Sequence, residues 1–182
     1  MEAPLGSLRD GEVTTIFVIA LGATAVWFLL FPPLRPTIVS LELARTTARV
    51  RRILGAWESH AMSKAAKRSV LTDLAWIPLY TVALAGLAIL ASRAAVAADA
   101  GETLPSAFAV LAYVALAAGA LDYLENAGLW RLLGGHVAQP VPALTSLVSF
   151  LKWAAIFVIV SAGGLMLLGH GVRELCGWLK PG

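Results

Sequence analysis

The stretch Ala115–Asn126, ALAAGALDYLEN, joins a run of small and apolar residues to a polar motif. If the stretch is helical, one face carries Ala115, Ala118, Gly119, Asp122, Glu125 and Asn126. Small residues let the backbones of membrane helices approach closely, and ionisable groups among apolar residues usually face the interior of a bundle. The stretch therefore predicts a helix whose polar face points at other helices.

The composition is that of a membrane protein. Of the 182 residues, 59% are hydrophobic and 14% are charged, and the mean hydropathy is +0.79. Such a chain has too little polar surface for an ordinary soluble domain. Its length allows about four spanning helices of about 20 residues each, so we predict one integral membrane domain over residues 1–182 and no separate catalytic domain.

The residue types exclude several kinds of site. The chain has one cysteine, Cys176, and its histidines, His60, His136 and His170, are far apart. This spacing fits neither a disulfide nor a structural metal site, so no cofactor or metal is predicted. Nucleic-acid binding is not expected either, because the basic residues adjoin apolar segments and not a solvated face with base-reading residues.

Four apolar segments predict four transmembrane helices, at about residues 14–31, 73–91, 106–126 and 143–168. The third helix is expected to continue through the polar motif to Leu133, where two glycines follow. The first segment has the position of a signal peptide. Because residues 31–36, FPPLRP, lack a small-x-small cleavage site, we expect it to remain uncleaved.

Between the first two segments, residues 37–58 predict one amphipathic helix. Its apolar stripe is Val39, Leu43, Thr47, Val50, Leu54 and Trp57. The opposite side carries Arg45, Arg49 and Arg52, which are expected to face water or anionic lipid head groups. The stripe fits either the lipid surface or the ends of the other helices, and the sequence does not separate these two arrangements.

The charge distribution predicts the orientation. Residues 33–72 contain eight basic residues against Glu42 and Glu58. Basic loops next to spans are retained on the cytoplasmic side. We therefore expect this segment to be cytoplasmic and both termini to lie outside.

The predicted topology brings polar residues of three helices to the same depth. The candidate site consists of Asp73, Tyr80, Asp122, Glu125, Asn126, Ser149 and Lys152, with Thr145 nearby. Buried ionisable groups need partners whether or not they act. A pairing of Lys152 with Asp122 or Glu125 is thus consistent with a purely structural clasp as well as with a functional site.

Two kinds of chemistry are compatible with these residues. The carboxylates offer oxygen ligands for a divalent cation, although the Lys152 ammonium competes for them and favours proton or solute handling. Ser149 and Lys152 also have the spacing of a serine nucleophile with a lysine base. That pattern is short and lacks the other motifs of such hydrolases.

The pattern as a whole resembles an uncharacterised family of bacterial four-helix integral membrane proteins. Its pieces are residues 41–44 (LELA), Ile53, Leu54, Trp57, Asp73, Tyr80, Asp122, Glu125, Asn126 and Lys152. The resemblance implies a fold and a site but no reaction, and it adds Glu42 and Trp57 as companions of the cluster.

The predicted fold is an all-α bundle of four transmembrane helices with a cytoplasmic amphipathic helix between the first and second, in a bacterial inner membrane. Three functions are open. The first is handling of an ion, proton or small polar solute, in a homo-oligomer because four helices enclose little volume. The second is an enzyme acting on a lipid head group with Asp122 or Glu125 as base. The third is an accessory subunit in which the cluster is only a clasp.

Overall fold

The computed structural model describes residues 10–30 and 37–178, and this part of the chain is helical without strands. The helices are α1 (Asp10–Leu30), α2 (Ile38–Glu42), α3 (Thr47–Ser59), α4 (Ser63–Ala97), α5 (Thr103–Leu133) and α6 (Val141–Trp178). The all-α prediction is confirmed.

Three helices in the described ranges are long and apolar enough to cross a membrane. They are Ser63–Ala97, Thr103–Leu133 and Val141–Arg173. Each contains one of the predicted spans and extends beyond it at both ends. α5 ends at Leu133, the residue predicted from the following glycines, and Gly134 caps it. These helices indicate a membrane protein.

The predicted first span, residues 14–31, falls mostly within α1. The apolar stretch found there is Gly11–Ala23, which is shorter than a span. The prolines at 32, 33 and 36, predicted to end this segment, lie outside the described residues. A fourth span thus stays a prediction, although α1 packs along α4. In that contact, Gly86 faces Phe17 so closely that an added Cβ atom would lie 3.3 Å from the Phe17 Cβ.

The core of the bundle consists of α4, α5 and α6, which contact one another in all three pairs. Two glycines of α5 make the close approach possible. A Cβ atom at Gly119 would collide with the Thr81 hydroxyl of α4, and one at Gly128 would lie 3.1 Å from the Thr145 Cβ of α6. As predicted for this face, Ala115, Ala118 and Gly119 are buried. The polar motif at its end is therefore carried into the interior.

The prediction of one continuous helix over residues 37–58 is wrong. The segment is divided into α2 and α3 by a break at residues 43–46. Thr46 has extended backbone angles, and its hydroxyl accepts a hydrogen bond from the Arg49 amide at 3.3 Å. Threonine stabilises a helix start in this way by satisfying an amide that has no helical partner. The pattern of apolar residues does not reveal such a start, because it continues through the break.

The apolar side of α3 packs on the bundle. Val50, Ile53 and Trp57 form one buried cluster with residues at the beginning of α4 and the end of α5, including Val70 and Leu129. The sequence left open whether this side packs on lipid or on the ends of the other helices. These three side chains pack on the other helices. The predicted stripe members Val39 and Leu43 are exposed instead, because the helix ends at Glu42 and the regular spacing does not continue into α3.

Candidate functional site

The centre of the predicted site is Lys152 of α6. Its ammonium nitrogen lies 3.0 Å from Asp122 Oδ1 and 2.8 Å from Glu125 Oε2, both on α5. The three residues are only 5%, 3% and 1% exposed. The ammonium also lies 5.2 Å from the centre of the neighbouring Trp153 ring, within the range of cation–π attraction. One cation thus lies between two carboxylates at the contact of two helices.

Two hydrogen bonds between α4 and α5 join helix α4 to the site. The Tyr80 hydroxyl donates to Asp122 Oδ2 at 2.5 Å, and the Asn126 amide donates to Asp73 Oδ2 at 2.8 Å. Asp122 therefore accepts from Tyr80 with one oxygen and from Lys152 with the other. These contacts join three long helices at one level.

A further carboxyl group reaches the site from outside the long helices. Glu42, at the end of α2, is buried, and the Trp153 indole donates a hydrogen bond to its Oε2 at 3.4 Å. The Glu42 carboxyl also interacts with the neighbouring Glu125 carboxyl. Burial raises the pKa of Glu42 above the ordinary carboxyl value, against the opposing attraction of the Lys152 ammonium and the hydrogen bond from Trp153.

The sequence suggested Glu42 as a companion of the cluster only through the family resemblance and did not place Trp153 in the candidate site. Glu42 is one of two acids in a strongly basic segment, which is the one sequence signal that marks it. The contact between the Trp153 indole and Glu42 depends on how α2 packs against α6 in the folded chain. A helical projection of either segment alone does not contain that information.

We call Glu42, Asp73, Tyr80, Asp122, Glu125, Asn126, Lys152 and Trp153 the acidic cluster. In the described part of the chain it contains four carboxyl groups and one ammonium group. One ammonium balances one carboxylate, so the fully ionised cluster would carry three excess negative charges. Such an excess is costly in a buried setting.

Ser149 does not form the serine–lysine pair that its spacing suggests. Its side chain is fully buried, and its hydroxyl has no hydrogen-bond partner among the described residues. The Lys152 ammonium turns to two carboxylates instead, which attract it more strongly than a neutral hydroxyl does. Thr145 forms a hydrogen bond within its own helix, because its hydroxyl donates to the Val141 carbonyl at 2.9 Å.

The predicted basic surface is only partly helical. Arg49 and Arg52 lie exposed on α3, whereas Arg45 lies in the break before it. The prediction that all three share one helical face is therefore wrong, for the same reason that the long helix is divided. In the described ranges, no group of three or more His, Cys, Asp or Glu side chains is arranged to hold a metal ion.

Comparison of the chain with models of protein families, with curated proteins and with solved structures finds no match. Any role of the acidic cluster is therefore inferred from the chain's own residues alone.

Proposed function

We propose that this membrane protein takes up and releases protons at the acidic cluster, and that Glu42 exchanges them with water. The observation that carries the proposal is the excess of carboxyl groups over ammonium groups in the cluster. A clasp between α5 and α6 needs Lys152 and one carboxylate. The additional carboxyl groups add a desolvation cost without a matching cation, which is expected for groups retained to bind a proton or cation.

The arrangement favours protons over metal ions. Lys152 already occupies the space between Asp122 and Glu125, where a cation would have to bind. Carboxyl groups within hydrogen-bonding reach of each other can share and pass a proton, and a phenol such as Tyr80 can extend the path. Glu42 and Glu125 interact as neighbouring carboxyl groups, so we propose that a proton passes between them. Tyr80 extends the path through its hydrogen bond to Asp122.

Glu42 is suited to be the exchange group because it lies outside the three long helices. α2 is next to the break at residues 43–46 and to exposed Arg45. A small rearrangement of α2 would bring the Glu42 carboxyl from the cluster to water. The raised pKa means that Glu42 holds its proton into a pH range where an ordinary glutamate is ionised.

The expected result of Glu42→Gln is the loss of one carboxyl group that titrates above the ordinary range for glutamate. We would measure this by pH-difference infrared spectroscopy of the protein in lipid vesicles, following the carbonyl band of protonated carboxyl groups. A raised pKa in the folded state contributes stability that is fully present below the unfolded pKa and is lost as pH rises through the folded pKa. The stability of wild type relative to Glu42→Gln should therefore fall as pH rises from the pKa of an ordinary glutamate through the raised pKa of Glu42 in the folded protein.

Glu58→Gln is the matched control, because Glu58 is an exposed acid on neighbouring α3 and its loss should leave the high-pH titration unchanged. Proton flux into vesicles containing a pH-sensitive dye supplies the functional readout. Wild type should carry protons faster than protein-free vesicles, and Glu42→Gln should not. If folded wild type shows neither a carboxyl group that titrates above the ordinary range nor a proton flux, the proposal is overturned. The cluster would then be only a structural clasp.

For the membrane arrangement we propose four spans, with α1 as the first, in a bacterial inner membrane. The charge pattern supports a cytoplasmic position for α2, α3 and the beginning of α4, where Lys64, Lys67 and Arg68 are exposed. The acidic cluster would then open toward the cytoplasm, and both termini would lie outside.

Reporter fusions test this orientation. A reporter active only in the cytoplasm should work after His136 and fail after Ala97, because these residues lie at opposite ends of α5. A periplasmic reporter should give the reverse pattern. Activity of the periplasmic reporter after His136 would show that the orientation is inverted.

A further inference from the structure

A pair of adjoining grooves lies on the surface beside the break between α2 and α3. One has a volume of about 370 Å³ and the other about 540 Å³, and both are open to the surroundings. Both are lined by Arg45 and Phe150. The other lining residues are Ala143 and Leu147 in the first, and Leu43, Thr46 and Arg49 in the second.

The two sides of this paired groove have opposite chemistry. Arg45 and Arg49 supply two guanidinium groups from the break and the first turn of α3. Ala143, Leu147 and Phe150 recur at helical spacing on α6, a helix apolar enough to span a membrane. Leu147 and Phe150 are each more than half exposed, so the apolar side is open along the helix.

The backbone at Arg45 is held by a hydrogen bond from the loop before α6. The Gln139 side-chain amide, in the loop before α6, donates to the Arg45 carbonyl at 3.1 Å. This bond ties the break between α2 and α3 to the start of α6. The backbone that carries Arg45 is thereby kept next to the start of α6, and Arg45, Arg49 and Phe150 line one groove.

We infer that this groove binds one anionic phospholipid, with its phosphate at Arg45 and Arg49 and an acyl chain along Leu147 and Phe150. Arginine matches phosphate oxygens in geometry and charge. A soluble phosphate would use the arginines but leave the apolar wall exposed, whereas a phospholipid satisfies both. The assignment is independent of the proton chemistry proposed for the acidic cluster.

The test measures binding of phosphatidylglycerol to the full chain in detergent micelles by native mass spectrometry. The double variant Arg45→Gln/Arg49→Gln should bind about thirty-fold more weakly than wild type, because each basic residue at an anionic head group contributes about a five-fold factor. Phosphatidylcholine, which has no net charge, should bind more weakly than phosphatidylglycerol to wild type.

Arg51→Gln/Arg52→Gln is the matched control, since it removes the same charge from exposed positions of α3 that do not line the groove. It should retain wild-type binding. The apolar wall is tested by Phe150→Asn, which should weaken binding, against Phe157→Asn, which changes an exposed residue two turns further along α6 and should not.

Three results would overturn the inference. An equal loss of phosphatidylglycerol binding in the two double arginine variants would mean that the lipid is attracted by the basic surface in general. Equal losses at Phe150 and Phe157 would mean that the acyl chain does not follow the groove. Displacement of phosphatidylglycerol by an equal concentration of inorganic phosphate would mean a phosphate site without a lipid requirement.

Discussion

Replacement of Lys152 by methionine is expected to destabilise the folded bundle by about 3–5 kcal/mol, the usual cost of removing one partner of a buried ion pair. Methionine fills a similar volume but leaves Asp122 and Glu125 without their shared cation. The two carboxylates then lie close together in a low-dielectric interior, where they repel. Reversible unfolding of the purified protein in mixed micelles measures the loss.

Lys67→Met is the control for this variant, because Lys67 is exposed near the beginning of α4. We expect a change within about 0.5 kcal/mol, as for most surface substitutions. The double variants Asp122→Asn/Lys152→Met and Glu125→Gln/Lys152→Met should each recover part of the stability lost on Lys152→Met. An unchanged stability of Lys152→Met would contradict the ion-pair geometry.

The same double variants separate the clasp from proton handling. If the cluster is only a clasp, a double variant that folds should have the same proton flux as wild type. If the cluster handles protons, the variants should fold but lose proton flux, because a carboxyl group has been removed from the path. Stability and flux thus report on different properties of the same residues.

The contacts within the bundle follow from sequence patterns. The small residues Ala115, Ala118 and Gly119 share a face with Asp122 and Glu125 at helical spacing, and that face is buried against other helices. The need of buried charges for partners predicts that Lys152 pairs with Asp122 or Glu125, and in the structure it contacts both. Regular helices make such inferences possible because the spacing of residues determines which of them share a face.

The segment before α4 could not be predicted in the same way. Thr46 starts α3 by accepting a hydrogen bond from the Arg49 amide. Nothing in the apolar spacing of residues 37–58 indicates that a new helix begins there. The burial of Glu42 depends on where α2 lies relative to α5 and α6. That position is set by contacts between residues far apart in the chain, including Glu42 with Trp153 and Arg45 with Gln139.

Trp57→Ala is expected to release α3 from the bundle, at a cost of about 3–5 kcal/mol for a large aromatic residue removed from a core. Trp57 is 0% exposed and packs with Val50, Ile53 and residues of α4 and α5. Hydrogen exchange should increase in the amides of α3, whereas the interior of α5 and α6 should keep its protection. A uniform increase over all helices would mean that Trp57 supports the whole bundle and not the docking of α3.

Trp130→Ala provides the comparison, because Trp130 is 47% exposed at the end of α5 and its removal should leave exchange in α3 unchanged. Release of α3 should also affect the acidic cluster, since only the short break separates α3 from α2 and Glu42. Once hydrated, Glu42 would lose the desolvation that raises its pKa. The high carboxyl titration should then disappear in Trp57→Ala although Glu42 itself is unchanged, which would show that the docking of α3 controls the proton affinity of the site.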